Sequence, residues 1–507
     1  MDPVLNQTSR NLFTAKWTFA FLLVFLFGLG AFLRFSDLAS PLLDFHPTRQ
    51  LFSAIKARGL YYQTLRDAPA WQKDLAVRQF SGEATIEPPL MENLAAGLYV
   101  RFGQENTAYP RAISATAWLI AASFVFLLSK NISHSLPAAF ASLAFFLFLP
   151  YAIPASRAFQ PDPLMLMLVV IFWWSIEIWS RKSPDFRSAW GWAILAGLAG
   201  GLAIFVKFPA VFFIAGGALG AILANSSLKQ FWKHPTSWVI ALLCLLPPAA
   251  YLYYGLFMNG FLGQQFGSRF YPELWSKPFF YLRWFLALSE VMNVLWAALA
   301  VLGWLVFSHK PAKVFLAALW ISYFIYGFVF AHHISSHDYY SLPLIPIAAL
   351  SLAPFAAEIN SILSKKIQPS RYFQIITLVL LLITLSLTTI KQYLNLRNND
   401  YRQQAASWAE IGDALGHQPG VVALITDYGY PLAYYGWQNV SIWPLPGGVG
   451  RFDEDFVLHT RKKAYFLITD FDEYNRQPDL QKELSENYPV LAQGSGYLIF
   501  DLKPPKP

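Results

Sequence analysis

Lys16-Trp-Thr-Phe-Ala-Phe-Leu-Leu-Val-Phe-Leu-Phe-Gly-Leu-Gly-Ala-Phe-Leu-Arg34 sets seventeen consecutive uncharged residues between two cations. A helix of about that length crosses a hydrocarbon core of roughly 30 Å. The run exceeds the roughly 7 to 15 residues of a signal-peptide core, so it reads as a retained anchor. Similar runs recur, and the pattern predicts about eleven spans. Their approximate limits are 17–34, 112–129, 137–154, 163–180, 190–206, 209–224, 237–258, 284–307, 314–331, 341–357 and 373–391. Composition agrees: of 507 residues 55% are hydrophobic and 13% charged, against roughly 25% charged in soluble domains. A water-soluble enzyme is excluded. The one cysteine, Cys244, lies inside a span and permits neither an intrachain disulfide nor a thiolate metal cluster.

Basic residues are retained on the cytoplasmic side of short loops. With a cytoplasmic N-terminus the inner segments hold Arg10, Lys16, Lys130, Arg181, Lys182, Arg187, Lys229, Lys233, Lys310, Lys313, Lys365, Lys366 and Arg371. The short outer loops hold only Arg157, Lys207, Arg269, Lys277 and Arg283. The formal charge of +8 then faces anionic lipid of the inner leaflet and needs no nucleic acid, for which no motif is present. On this topology the N-terminus is cytoplasmic. The loop 35–111 and the segment 392–507 are extracytoplasmic.

In the loop, Leu51, Phe52, Ile55, Gly59 and Tyr62 share a face at helical spacing while Lys56 and Arg58 point away, which predicts a helix lying in the membrane interface. Leu90, Leu94 and Leu98 predict a second, started by Pro88 and Pro89. The C-terminal segment changes register. Val421–Ile425, Ala464–Ile468 and Tyr497–Phe500 are strand-like runs separated by helical and turn-like stretches, so 392–507 reads as a small α/β domain following a transmembrane domain 1–391. Its Tyr428, Tyr430, Tyr434, Tyr435, Trp437 and Trp443 can pack a core or stack on sugars.

Ionisable residues gather beside the predicted outer face, where they are costly and mark function more often than not. They are Asp44 in Asp44-Phe-His-Pro-Thr-Arg49-Gln50, Glu87 in Glu87-Pro-Pro-Leu90, Asp162, Lys207 in Lys207-Phe-Pro209, and His337-Asp-Tyr-Tyr340. Their order resembles that of the GT-C glycosyltransferases, in particular the branch of protein O-mannosyltransferases and lipid A aminoarabinose transferases. The resemblance covers roughly residues 17–350. It departs at Phe45, where the family usually has Glu after the first Asp, and at Glu87, where relatives often carry Lys or His.

The resemblance implies an α-helical polytopic GT-C fold, and transfer of a sugar from a polyprenyl-phosphate carrier to an extracytoplasmic acceptor. Protein, lipid and glycan remain open as acceptors. Such chemistry needs a base for the acceptor hydroxyl, for which Asp44 is the candidate, with Asp162 as a second acid. It also needs cations beside the leaving phosphate. Arg49, Arg111, Lys207 and Arg269 are the candidates, with Glu87, His337 and Tyr340 as further substrate-binding residues. No cofactor is required, although His333 and His337 have the i, i+4 spacing of a helical ligand pair for a divalent metal ion. Each residue also has a plainer role. Asp162, between two prolines, suits a helix N-cap; Glu87 suits a helix start; Lys207 suits a snorkelling turn residue. Asp453-Glu-Asp455 resembles the Asp-x-Asp of nucleotide-sugar enzymes, but no glycine-rich loop accompanies it and it reads as solvated surface.

Other classes fit less well. A transporter would concentrate ionisable groups near the midplane in related halves, and no repeat is present. A non-catalytic sugar-sensing membrane protein would account for the aromatic residues but not for acids on one side.

Overall fold

The computed structural model describes residues 16–182, 186–263, 270–366, 371–444 and 452–503. Contacts divide it into two compact units, one of residues 1–38, 85–90 and 111–398, the other of 39–84, 91–110 and 399–507. This grouping differs from a linear division at residue 391, because two pieces of the first loop are grouped with the C-terminal residues.

In the first unit every expected span carries a helix: Lys16–Phe35, Ala108–Ser133, Leu136–Phe148, Asp162–Lys182, Phe186–Val206, Ala210–Asn225, Pro235–Tyr253, the pair Pro278–Met292 and Val294–Val306, Lys310–Val329, Leu344–Lys366 and Arg371–Asn398. Among the described residues eight helices are long and apolar enough to cross a membrane, or up to nine with the bent pair taken as one span. The protein is an integral membrane protein, since in lipid each backbone polar group must be satisfied within its own helix.

Two spans differ from expectation. The run 284–307 is not one helix but a pair bent by 91°. Asn293 breaks it at φ 56°, ψ 141°, and its side-chain oxygen accepts from the Leu295 N–H, capping the second helix. The run 137–154 stops as a helix at Phe148, because Pro150 disfavours helical backbone before it; a short helix, Ala152–Arg157, follows. Close packing elsewhere depends on small residues. A Cβ on Gly217 would come within 2.3 Å of Trp173. Its absence lets the indole lie against the Ala210–Asn225 helix and donate to the Phe213 carbonyl at 2.9 Å.

The second unit corrects the first interfacial helix. Pro47–Thr64 is helical but buried nearly all round, with Lys56 and Arg58 4% and 5% exposed. Both cations are buried because each finds partners. Lys56 Nζ donates to the Ala84 carbonyl at 3.3 Å and lies over the Phe52 ring. Arg58 Nε meets both Glu105 oxygens at 3.1 and 3.0 Å, Nη1 donates to the Tyr434 carbonyl at 2.7 Å, and the guanidinium lies 3.8 and 4.0 Å from the Tyr434 and Trp437 ring centres. Burial opposes the Arg58 charge, but Glu105 together with Tyr434 and Tyr62 more than offsets it and leaves the guanidinium above its ordinary pKa. Arg58→Ala, which leaves the Glu105 carboxylate with the Tyr434 hydroxyl but without its cation, is expected to cost about 3 kcal/mol, the low end for a broken buried pair, read as a lower unfolding midpoint in detergent. The second expected helix is Leu90–Phe102; it packs on Met91, Ala95 and Tyr99 and leaves Leu94 exposed.

The C-terminal part is α/β. Its strands are β1 (Val421–Leu424), β2 (Ser441–Ile442), β3 (Tyr465–Ile468), β4 (Val490–Gly494) and β5 (Tyr497–Asp501), in the order β2-β1-β3-β5-β4. β1 is parallel to β2 and β3; β5 is antiparallel to β3 and β4. All of β1 is buried, as a strand covered on both faces must be. Val421 and Ala423 pack on Trp408 and Leu432, while Val422 and Leu424 fall in the opposite core with Phe456 and Leu480. β2 and β4 escaped the sequence reading because they are short or only partly buried.

Candidate functional site

In the first unit Asp162 begins the helix Asp162–Lys182, and Lys207 follows Val206, the last residue of Phe186–Val206. The hairpin tip brings them together: Lys207 Nζ donates to Asp162 Oδ1 at 2.8 Å. Both are buried, 5% and 1% exposed. Such a pair loses as much solvation as it gains in attraction unless its remaining atoms are satisfied, and Asp162 Oδ2 has no hydrogen-bond partner among the described residues. Lys207 is not a snorkelling turn residue. Its ammonium lies 5.4 and 5.2 Å from the ring centres of Tyr339 and Tyr340, which favours a cation there.

The sequence motif His337-Asp-Tyr-Tyr340 therefore reaches Lys207 through its tyrosines. Tyr340 is buried and also meets His333, ring centres 5.1 Å apart. The rings of His333 and His337 are 6.2 Å apart. His333 lies in the short helix Ala331–Ser336, whereas His337 follows it in extended backbone, so the two do not form an i, i+4 helical pair. Among the described residues no three His, Cys, Asp or Glu side chains form a cluster fit for a metal ion. Tyr151, which the sequence reading missed, is within electrostatic reach of Asp338, Asp162 and Glu290. Its only signal was a tyrosine next to the helix-ending Pro150.

Glu87, Arg111 and Arg157 belong to the same unit. Arg111 is fully buried on Ala108–Ser133, one turn before Ser114, whose hydroxyl donates to the Ala158 carbonyl at 2.8 Å. Glu87 is within electrostatic reach of Tyr251. Arg157, expected only as a loop cation, is buried and donates to the Asp37 carbonyl at 2.6 Å. Arg269 lies outside the described residues.

In the second unit Asp44 precedes the helix Pro47–Thr64. The turn into that helix is made by His46 at φ 44°, followed by Pro47 at the first helical position. Gln50, buried one turn into the helix, donates from Nε2 to the Phe45 carbonyl at 2.6 Å and to Asp44 Oδ1 at 3.2 Å. Gln50 thus holds the carboxylate, a role that spacing alone did not assign. Arg49 lies over the Phe52 ring at 5.2 Å. Asp453 and Glu454 are exposed in the first turn of Phe452–Thr460, where acids complement the helix dipole.

A family model described as dolichyl-phosphate-mannose-protein mannosyltransferase matches residues 88–261. The structure of ArnT from Cupriavidus metallidurans bound to undecaprenyl phosphate superposes with a TM-score of 0.60, at 15% identity, over 96% of this chain and 97% of that one. This is the GT-C fold. The oligosaccharyltransferase AglB of Archaeoglobus fulgidus, in complex with an inhibitory peptide and a dolichol-phosphate, shares it with a TM-score of 0.51, at 11% identity, over 90% of this chain and 70% of that one. No curated protein matches the chain. The GT-C fold is thus common to chains whose sequences have largely diverged. The stretch matched by the family model includes Glu87-Pro-Pro-Leu90 from its second residue, Arg111, Asp162 and Lys207.

Proposed function

We propose that the protein is a membrane glycosyltransferase that moves a hexosyl or pentosyl group from a polyprenyl-phosphate carrier to an extracytoplasmic hydroxyl acceptor, with inversion at the anomeric carbon. The observation that carries this reading is the buried Asp162–Lys207 pair beneath Tyr339 and Tyr340 in a GT-C fold. Support for a lipid-linked donor comes from the undecaprenyl phosphate and dolichol-phosphate of the two similar structures.

The acceptor oxygen attacks the anomeric carbon opposite the phosphate, the bond from that carbon to the phosphate oxygen breaks, and the acceptor proton passes to a carboxylate. Asp44 is the proposed base, a role that Gln50 supports by fixing one carboxylate oxygen. The leaving phosphate gains negative charge, for which Lys207 and Arg111 are the proposed cations. Asp162 orients Lys207. Arg49, Glu87 and His337 are proposed to contact the substrates, and no step is assigned to a divalent cation.

Purified protein in detergent, given a polyprenyl-phosphate sugar labelled in the sugar, is expected to release the lipid phosphate and label an acceptor fraction. Transfer straight from a nucleotide sugar without a lipid carrier would overturn the reading.

The proposed sidedness is an N-terminus in the cytoplasm and the C-terminal residues outside a plasma membrane. Gln104→Cys and Ser485→Cys, both at exposed positions, are expected to react with an impermeant thiol reagent from outside intact cells, and Ser227→Cys is not. Cys244 is buried and contributes little background. Labelling of Ser227→Cys from outside would invert the topology. Ser183, in another loop of the predicted inner face, lies outside the described residues.

A further inference from the structure

Within the second unit a cavity of about 320 Å³ is bordered by Arg78, Gln79, Glu83, Tyr428, Tyr430 and Asn439. That volume is at the small end of sites for small molecules, roughly 300–1,000 Å³. Three features make it a built site. Gln79 is 5% exposed, and its Nε2 donates to the Ala433 carbonyl at 2.8 Å and to Asn439 Oδ1 at 2.9 Å, while its Oε1 has no hydrogen-bond partner among the described residues. A buried acceptor left in this way is an exception that calls for a ligand or another cause. The Tyr430 hydroxyl donates to Glu83 Oε2 at 2.8 Å, and burial raises the Glu83 carboxyl above its usual range.

Third, Tyr428 is 77% exposed, although Tyr434 and Trp443 of the same segment are buried. Its backbone is left-handed at φ 53°, between Asp427 at 51° and Gly429 at 74°. A bulky residue rarely adopts that conformation, and such strain persists where the surroundings impose it, often at ligand sites. Thr48 helps to hold the loop by donating to Asp427 Oδ1 at 3.2 Å.

The lining sets the ligand class. One carboxyl, of Glu83, and one guanidinium, of Arg78, both border the cavity, a balance of charge that selects neither an anion nor a cation. Amides and hydroxyls offer donors and acceptors side by side, and the exposed phenol offers a flat apolar face. We propose that this cavity binds one neutral pyranose unit of the acceptor, with Tyr428 against the C–H face of the ring and Gln79, Glu83 and Asn439 meeting adjacent hydroxyls. The choice of a sugar rests on the glycosyl-transfer reading; binding itself does not require the donor.

The test is saturation-transfer NMR on the full-length protein in detergent with methyl α-glucoside, methyl α-mannoside, methyl β-galactoside and methyl β-N-acetylglucosaminide. At least one is expected to receive saturation, with affinity about tenfold weaker in Tyr428→Gly. Because glycine tolerates left-handed backbone, that variant is expected to unfold no earlier than the parent, so lost binding is not lost folding. Binding is expected to persist in Asp44→Asn. Absence of saturation for all four glycosides, or equal saturation in Tyr428→Gly, overturns the proposal. Glycoside binding without any sugar transfer would leave the cavity assigned and overturn the glycosyltransferase reading; transfer without glycoside binding would do the reverse.

Discussion

Asp44→Asn is expected to lower sugar transfer by about 10²- to 10⁴-fold, the usual loss on removing a general base. The fold should survive. An asparagine oxygen still accepts the Gln50 amide that now meets Asp44 Oδ1, so the turn into Pro47–Thr64 keeps its local bonds. What disappears is the capacity to take a proton. The effect should therefore fall on kcat, with the unfolding midpoint and donor affinity nearly unchanged. Near-normal turnover by the folded variant would remove Asp44 from the mechanism. Gln50→Ala, which frees the carboxylate without deleting it, is expected to give a smaller loss of the same kind.

Lys207→Ala should damage both stability and transfer, and the two can be separated. Removing the lysine leaves the buried Asp162 carboxylate without its partner, which costs about 3–5 kcal/mol for a buried pair. Replacing the pair together, Asp162→Asn with Lys207→Met, removes both charges at similar volume and should recover most of that stability. Transfer should stay low in the double variant, by roughly ten- to a hundredfold, because a desolvated phosphate loses a charge-assisted contact of ~1.5–3 kcal/mol. If the stable double variant transfers sugar as the parent does, the pair is structural only.

Hydropathy and punctuation located the spans well. Each apolar run became a helix because its length and composition answer to a local demand: a backbone in lipid must close its own hydrogen bonds. Even so, Asn293 bent one span and Pro150 ended another. Both residues were visible in the sequence, but mean hydropathy averages over single interruptions. The strands β1, β3 and β5 were legible because their apolar runs serve a sheet covered on both sides.

Helical spacing failed for Lys56 and Arg58. It treats a charge as a mark of the solvent face, whereas Glu105, Tyr434, Trp437 and the Ala84 carbonyl provide for these charges inside the unit. None of those partners is within one helical turn in sequence. The aromatic residues of the C-terminal segment divide in the same way: Tyr434 and Trp443 went to the interior and Tyr428 to the surface, a difference that composition does not encode.

The sequence by itself determined the membrane class, the positions of the spans, the α/β character of the last segment, and the acids and cations on which a mechanism can draw. Tertiary structure alone decided that Lys207 is the partner of Asp162, that Gln50 holds Asp44, and that Tyr428 stands exposed on strained backbone beside a polar cavity. The reason is physical: periodicity and run length report how neighbouring residues meet lipid or water, whereas the effect of a charge depends on which distant residue is packed within a few ångströms of it.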